Sequence, residues 1–202
     1  MPHSKSQDLT TPDLVLLSLL AEQPMHGYQA NAELERRQIH DWAAVSRPQV
    51  YYSLDKLARL GLIRDARDDE SAGGPERRVF STSARGRAAL TQALAREDWT
   101  LQRERPLFLT WLALSWQAGA GVFEAQIARR REFLEKELAR EEATLSGIKA
   151  EVGHRFHEAV WMVGLMIDQF RVELEWLRRL SREAAKRAPA KHPPGATGQS
   201  TK

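Results

Sequence analysis

The chain has 202 residues, no cysteine and a formal net charge of +3. The absence of cysteine excludes disulfides, thiolate catalysis and zinc sites built on sulfur, and the length favours either one large or two small domains. The formal net charge is −1 over residues 1–98 and +4 over residues 99–202, and the segment 186–202 alone carries +4. The overall positive charge is therefore no sign of DNA binding, and the argument for it must rest on a local basic patch.

The first predicted helix, which follows a flexible polar arm of residues 1–10, is apolar on nearly all sides. Thr10 or Thr11 can cap it, and Pro12 fits its first turn, where a missing amide hydrogen costs nothing. Residues 14–20 include six leucines or valines, so we expect a buried central helix. The run is too short to cross a membrane and lacks the flanks of a signal peptide, which predicts a cytoplasmic protein.

The second predicted helix runs from Tyr28 to about Gln38, with Tyr28, Ala32 and Leu34 facing inward. A connector follows, in which we expect Trp42 to join the core. A capped third helix comes next. This order is typical of helix-turn-helix proteins, whose last helix enters the major groove of DNA.

The third predicted helix spans the segment from Ser46 to Gly61. Ser46 and Gln49 match a capping box, and Gly61 suits the left-handed residue that often ends a helix. One face is apolar, while the other carries long donors and aromatic hydroxyls, which suit base edges and phosphates. The alternative is an ordinary solvated helix face. We assign Arg47, Gln49 and Tyr52 to base edges, and Tyr51, Ser53 and Lys56 to phosphates.

Two short predicted strands, Leu62-Ile63 and Val79-Phe80, flank a turn rich in glycine. A hairpin directly after a groove helix is typical of a wing, and we assign Arg77 and Arg78 to the neighbouring phosphates. The alternative for both arginines is pairing with the hairpin's own acids, which would contribute little either way. Ser83 then caps a helix that closes the domain.

Three segments of this half form a specific combination. They are the leucine-rich helix followed by His26-Gly27-Tyr28, the segment from Ser46 to Ile63, and the segment from Gly74 to Gly86. Together they resemble the PadR-type bacterial transcriptional regulators over about residues 11–95. The resemblance implies a winged helix-turn-helix regulator, usually a repressor, and some members sense drugs or phenolic acids. Val79-Phe80 and Thr82 depart from the usual wing pattern, which leaves the fold unaffected.

The second half is predicted to be entirely helical. A helix opens after Pro106, and two long helices follow, from 122 to about 152 and from 155 to about 188. The second long helix carries an unbroken heptad row. A further apolar row lies beside the heptad row, so this helix has more apolar surface than one partner helix can cover. A soluble monomer seldom leaves such a surface exposed, so we predict a homodimer. The layout resembles the all-helical dimerisation domain of the longer PadR subgroup. The heptad residues assigned to dimerisation are Phe156, Val160, Val163, Ile167, Phe170, Leu174 and Leu177.

Other chemistry is sparse in the sequence. No nucleophile triad, phosphate loop or dinucleotide fingerprint is present, so we predict that the protein is not an enzyme and needs no cofactor. His154 and His157 have loose metal-ligand spacing, but surface histidines at a helix start explain them better, and we predict no metal. Trp111, Trp116 and Trp161 are candidates for a pocket that binds a small aromatic effector, and core packing is the alternative.

These observations predict a mainly α protein with a small β-wing. Its parts are a flexible arm (1–10), a winged helix-turn-helix DNA-binding domain (11–96), a dimerisation domain of antiparallel long helices (97–188) and a disordered tail (189–202). The predicted function is sequence-specific repression of transcription by a homodimer bound to a pseudo-palindrome in double-stranded DNA. The alternative is a winged-helix adaptor that binds protein and not DNA.

Overall fold

The computed structural model describes residues 9–66, 78–184 and 186. The chain divides into two compact units, residues 1–103 and 104–202. Most of the predicted arm, the tip of the predicted wing with Arg77, and the predicted tail lie outside the described residues. Within the described part, no helix has the length and apolarity needed to cross a membrane.

In its described residues, the first unit contains four helices and a two-stranded antiparallel sheet in which Ile63 pairs with Thr82. Short 3₁₀ turns at Ile39–Asp41 and Glu97–Trp99 complete it. The predicted fold class is confirmed, because helices dominate and the sheet has only two short strands. The elements are α1 (Thr11–Glu22), α2 (Gly27–Arg36), α3 (Arg47–Arg59), β1 (Ile63–Asp65), β2 (Phe80–Thr82) and α4 (Ala84–Leu94).

The core of the first unit is built around α1, as its apolar sequence predicts. Leu16 and Leu17 are fully buried, and α1 packs against α3, α4 and β2. The connector after α1 also joins the sheet, since Met25 and Phe80 exchange backbone hydrogen bonds of 3.1 and 3.0 Å. Strand β2 therefore has a hydrogen-bonded neighbour on each side.

The inward face of α2 differs from the prediction. The helix begins at Gly27, where His26 and Gln29 form a capping box, and its buried residues are Gly27, Ala30, Asn31 and Leu34. Tyr28 lies on the opposite side and is 73% exposed. Trp42 is also largely exposed, because other residues of the connector to α3 fill the core in its place. Both aromatic assignments to the core were wrong.

Both predicted ends of α3 are confirmed. The Oε1 of Gln49 accepts a 2.7 Å hydrogen bond from the backbone N–H of Ser46, as a capping box requires. At the other end Gly61 adopts a φ of +67°, and the N–H of Leu62 donates to the carbonyl of Leu57 at 2.9 Å. This Schellman arrangement satisfies the last carbonyls of the helix and directs the chain into β1.

The start of α4 lies directly against the chain that leaves α3. The Ser83 hydroxyl accepts from the N–H of Gly86 at 3.0 Å and donates to the carbonyl of Leu62 at 3.0 Å. A Cβ added at Gly86 would lie 2.0 Å from that same carbonyl oxygen. The close approach of these two backbones therefore requires glycine at this position.

The second unit is a short helix packed near a long helical hairpin. The hairpin helices are antiparallel, as their five-residue connection requires, and Gly153 ends the first of them at a φ of +77°. The 3₁₀ turn Ser115–Gln117 follows the short helix. The helices are α5 (Leu107–Leu114), α6 (Val122–Val152) and α7 (Glu158–Ala184).

The heptad row of α7 is used inside the chain. Leu174 and Leu177 share a core with Ile127 and Leu134 of α6, and most of the remaining row is also buried. Phe156 lies before α7 begins and is exposed. The assignment of the buried members of this row to dimerisation was therefore wrong, because α6 already covers them, whereas the assignment of Phe156 stays a prediction. The buried members are Val160, Val163, Ile167, Leu174 and Leu177, and Phe170 is half-buried.

Candidate nucleic-acid interface

The exposed side of α3 carries four of the six residues assigned to DNA on this helix. Arg47 and Gln49 lie in the first turn, followed by Tyr51 and Tyr52, and all four are exposed. The cap at Ser46 and the buried Val50 and Leu57 fix which side of the helix faces outward. A guanidinium, an amide and two phenols are therefore presented on a rigid element.

Ser53 does not belong to this exposed set. It is only 2% exposed, because it lies one turn after Val50 on the side of α3 that faces the core. There it lies near the carboxylate of Asp13 and helps to lower the pKa of that group. The assignment of Ser53 to a DNA phosphate was wrong, since a phosphate cannot reach it.

Lys56 binds an acidic side chain inside the domain. Its Nζ lies 2.6 Å from Oδ2 of Asp13, a residue with 0% exposure, and Lys56 itself is only 22% exposed. The same oxygen accepts from the N–H of Thr10 at 2.8 Å and from its hydroxyl at 2.9 Å. Burial raises the pKa of Asp13, but the hydrogen bonds, chiefly that from Lys56, hold it below its usual 3.8. Lys56 thus links α3 to α1. Its ammonium group neutralises the buried carboxylate of Asp13 and is therefore not held ready for a DNA phosphate.

Arg47 is paired with Glu35 at the end of α2. Nε of Arg47 lies 3.2 Å from Oε1 of Glu35, and a terminal guanidinium nitrogen donates to the same oxygen. The hydrogen bond lowers the pKa of Glu35 and raises that of Arg47. Weaker electrostatic contributions from Tyr28 and Tyr51 raise the pKa of Arg47 further. Tyr28, which sequence reasoning placed in the core, therefore lies close to the predicted DNA-binding face.

Tyr51 also packs against α2. A Cβ added at Gly27, the first residue of that helix, would lie 2.7 Å from Cε1 of the Tyr51 ring. Only a residue without a side chain lets the ring approach so closely. Gly27 therefore helps to fix how the phenol of Tyr51 is presented.

Of the two wing arginines that were predicted to contact phosphates, Arg78 lies in the described part of the chain. Nε of Arg78 lies 2.9 Å from Oδ2 of Asp65, and its guanidinium stands 5.1 Å from the centre of the Phe80 ring. Both members of the ion pair are substantially exposed. Such a pair opens at little cost, so the contact of Arg78 with a phosphate stays a prediction.

The three tryptophans assigned to an effector pocket do not share a site. Trp111 stacks between Phe108 and Phe123 at 5.6 and 5.7 Å, and Trp116 is half-buried. Trp161 is exposed in the first turns of α7, about 22 Å along the helix from Trp176, which belongs to the same core cluster as Trp111. Core packing is therefore the better interpretation of Trp111.

A groove of about 720 Å³ does lie on the second unit, between α5 and α7. None of the three predicted tryptophans lines it; its wall includes Trp176 instead. Half of the other lining residues are apolar, and the polar half includes three carboxylates from α7. The groove is lined by Pro106, Phe108, Leu109, Leu165, Asp168, Gln169, Val172, Glu173, Glu175, Trp176 and Arg179.

The histidines after α6 cap backbone groups. Nδ1 of His154 accepts from the N–H of Phe156, and Nδ1 of His157 accepts from the N–H of Ala159, both at 3.2 Å. In the described part of the chain, no three acidic, histidine or cysteine side chains are grouped so that they could hold a metal.

Comparison with known proteins gives one family match. Residues 16–92 match the model of the transcriptional regulator PadR-like family, whose members are regulators and not enzymes. No curated protein sequence matches the chain.

Solved structures share the fold over nearly their whole length. Bacillus subtilis PadR in complex with operator DNA has a TM-score of 0.72 at 13% identity, covering 87% of this chain and 98% of that one. The Vibrio cholerae virulence activator AphA has a TM-score of 0.64 at 19% identity, covering 89% and 100%. B. subtilis PadR in complex with p-coumaric acid has a TM-score of 0.61 at 14% identity, covering 87% and 99%. At these identities the likeness describes the fold alone.

Proposed function

We propose, from the premise that residues 16–92 form a domain of the PadR-like family of transcriptional regulators, that this protein is a repressor that binds a specific operator as a homodimer. Two copies of α3 would enter the major groove at half-sites about one helical turn apart, or a multiple of it. The observation that carries the proposal is the exposed side of α3, where Arg47, Gln49, Tyr51 and Tyr52 stand together. A regulator of this kind works in the cytoplasm, where its DNA is.

Arg47 and Gln49 are the strongest candidates for base contacts. Arginine can donate two hydrogen bonds to the O6 and N7 of guanine, which makes it the commonest reader of that base. The Oε1 of Gln49 is already bound to the cap at Ser46, so its amide group is left as a donor toward an acceptor such as N7. Tyr51, Tyr52 and Arg78 complete the proposed surface, with Tyr52 near base edges and the other two near phosphates.

Replacing Arg47 with alanine should weaken operator binding and relax sequence choice at one base pair. A lost bidentate contact is expected to cost about 1–3 kcal/mol of discrimination. Fluorescence anisotropy with an operator and with the same duplex changed at each position in turn measures both effects. Arg59→Ala, a change of equal charge at the far end of α3, is the control. Equal loss of discrimination in the two variants would contradict the assignment of Arg47 to a base.

The adaptor alternative is tested by titration with duplex DNA at two salt concentrations. A DNA-binding protein that neutralises several phosphates loses affinity steeply as salt rises. An adaptor would show no saturable binding, or a salt dependence no steeper than the basic C-terminal segment alone produces.

The proposed dimer uses apolar surface that the heptad row does not account for. Leu165 and Val172 of α7 and Leu107 and Leu109 of α5 are all exposed, and the groove connects the two sets. A soluble monomer seldom leaves so large an apolar patch in contact with water. A second copy of the same surface would cover it about a twofold axis.

Leu165→Glu should dissociate this dimer. Leu165 is 60% exposed within one chain, so the variant should still fold, while a carboxylate in the interface would lie unpaired and desolvated. We expect the dissociation constant of the dimer to rise about 100-fold or more, which corresponds to ~2.8 kcal/mol. Sedimentation velocity over a concentration series measures it. Ala139→Glu, on the exposed charged side of α6, is the control, and a dimer unchanged by Leu165→Glu would refute this interface.

A small aromatic effector belongs to the same proposal, and it would bind in the groove beneath the partner copy that covers it. The groove between α5 and α7 has the size typical of small-molecule sites, and Phe108 and Trp176 provide aromatic walls. Titration with a phenolic acid, followed by the quenching of tryptophan fluorescence and by release of DNA, tests this part.

A further inference from the structure

Glu35 places a negative charge beside the proposed DNA-binding face of α3. It lies in the last turn of α2, and its Oε1 accepts hydrogen bonds from Nε and from one terminal nitrogen of Arg47. The carboxylate thus occupies one edge of the guanidinium. The edge formed by the two terminal nitrogens still has hydrogens to donate, and it is the edge farthest from the backbone.

The exposure of this pair determines what it can do. The side chains of Arg47 and Glu35 are 71% and 52% exposed, and an ion pair so accessible to water contributes little to folding. Its loss should therefore leave the domain folded. The main effect of the ion pair is therefore on which groups Arg47 can bind.

Phosphates and base edges respond differently to a neighbouring carboxylate. A phosphate is an anion, so it must either displace Glu35 from Arg47 or bind next to a like charge. The O6 and N7 of guanine carry no net charge and can accept from the edge that Glu35 leaves open. Glu35 should therefore oppose contacts of Arg47 with phosphate more strongly than contacts with guanine.

We propose that Glu35 is a specificity-determining residue, which weakens binding to arbitrary DNA while it spares the contact of Arg47 with a base. The proposal rests on the function of α3 proposed above. It assigns the discrimination between operator and other DNA partly to a residue outside the DNA-binding helix. The consequence is that removing the negative charge of Glu35 should raise the affinity for arbitrary DNA more than the affinity for the operator.

The experiment compares two DNA sequences at two salt concentrations. The full-length wild-type protein first selects an operator from a pool of random duplexes, and a scrambled duplex of the same composition serves as arbitrary DNA. For Glu35→Gln we expect affinity for the scrambled duplex to rise about threefold to tenfold, and affinity for the operator to change less than about twofold. The salt dependence on scrambled DNA should become steeper by about one phosphate contact.

A matched control is available on the same helix. Glu33 bonds to Arg36, the last residue of α2, and to Arg37 directly after it, and those bonds lower its pKa to about 2. Glu33→Gln removes the same charge from the same helix without touching Arg47. If both variants change the ratio of the two affinities equally, the effect is one of net charge and the proposal is overturned.

The double variant Glu35→Gln/Arg47→Ala tests whether Glu35 acts through Arg47. In the absence of Arg47, the substitution at Glu35 should have no more effect than Glu33→Gln does in that background. A full effect in the double variant would overturn the proposal. If the wild-type protein selects no sequence from the pool, the proposed function itself fails, whereas successful selection with an unchanged ratio in Glu35→Gln overturns the role of Glu35 alone.

Discussion

Gly86→Ala is expected to destabilise the first unit by about 3 kcal/mol or more, because the added methyl group would overpack a site that has no free space. The new Cβ would lie 2.0 Å from the carbonyl oxygen of Leu62 and 2.9 Å from its carbon. Those atoms belong to the backbone between α3 and β1, so they cannot move aside as a flexible side chain would. Thermal unfolding followed by circular dichroism measures the loss.

Gly147→Ala is the control for this substitution. Gly147 lies inside α6 with no atom within 4 Å of an added Cβ, so alanine there should stabilise the helix by about 0.5–1 kcal/mol. Opposite signs for the two changes would separate the steric effect from helix propensity. If Gly86→Ala unfolds at the wild-type temperature, the backbones of α4 and the α3–β1 connection are farther apart than described.

Lys56→Met is the second large effect, and it should cost about 3 kcal/mol of stability. The variant removes the cation from Asp13, whose carboxylate is fully buried. A buried charge that loses its partner typically costs 3–5 kcal/mol, and we expect the lower end because Lys56 is 22% exposed. Urea denaturation at pH 7 measures the change. Arg59→Met, on the exposed side of the same helix, should have little effect.

The pH dependence of stability identifies Asp13 as the cause. In the wild-type protein the pKa of Asp13 is below its usual 3.8, so its contribution is present above that value and is lost as pH falls through the lower, folded-state pKa. In Lys56→Met the hydrogen bond that lowers this pKa most is gone, and burial raises it. The variant's deficit should therefore shrink as pH falls. The ion pair would be excluded as the origin if the loss of stability caused by Lys56→Met did not change with pH. It would also be excluded if Lys56→Met caused the same loss in a protein that already carries Asp13→Asn.

Local sequence patterns predicted the ends of α3 correctly. Ser46, Gln49 and Gly61 act within one or two turns of the chain, so spacing alone identifies their roles. The buried character of α1 was equally readable, because its apolar residues surround the whole helix. The family resemblance over this half agrees with the PadR-like match of residues 16–92.

The errors concern partners that are distant in the sequence. Lys56 looks like a phosphate ligand until Asp13, 43 residues earlier, is seen to bind it. Ser53 was misplaced because a small polar residue gives no signal of burial. The phase of α2, which exposes Tyr28, depends on the cap at His26. A heptad row indicates that a helix packs against another helix, but it does not show whether that partner helix belongs to the same chain or to a second copy.

The pairing of Met25 with Phe80 has a consequence for how copies of this protein meet. An unpaired strand invites another molecule to extend the sheet, which is a common route to aggregation. Here one side of β2 is occupied by β1 and the other by the residues around Met25. Of the two described strands, β1 alone keeps an unpaired outer side, and it is three residues long with Arg64 and Asp65 at its end. Intermolecular strand exchange is thereby discouraged in the first unit, which agrees with the proposal that copies of the protein associate through the helices of the second.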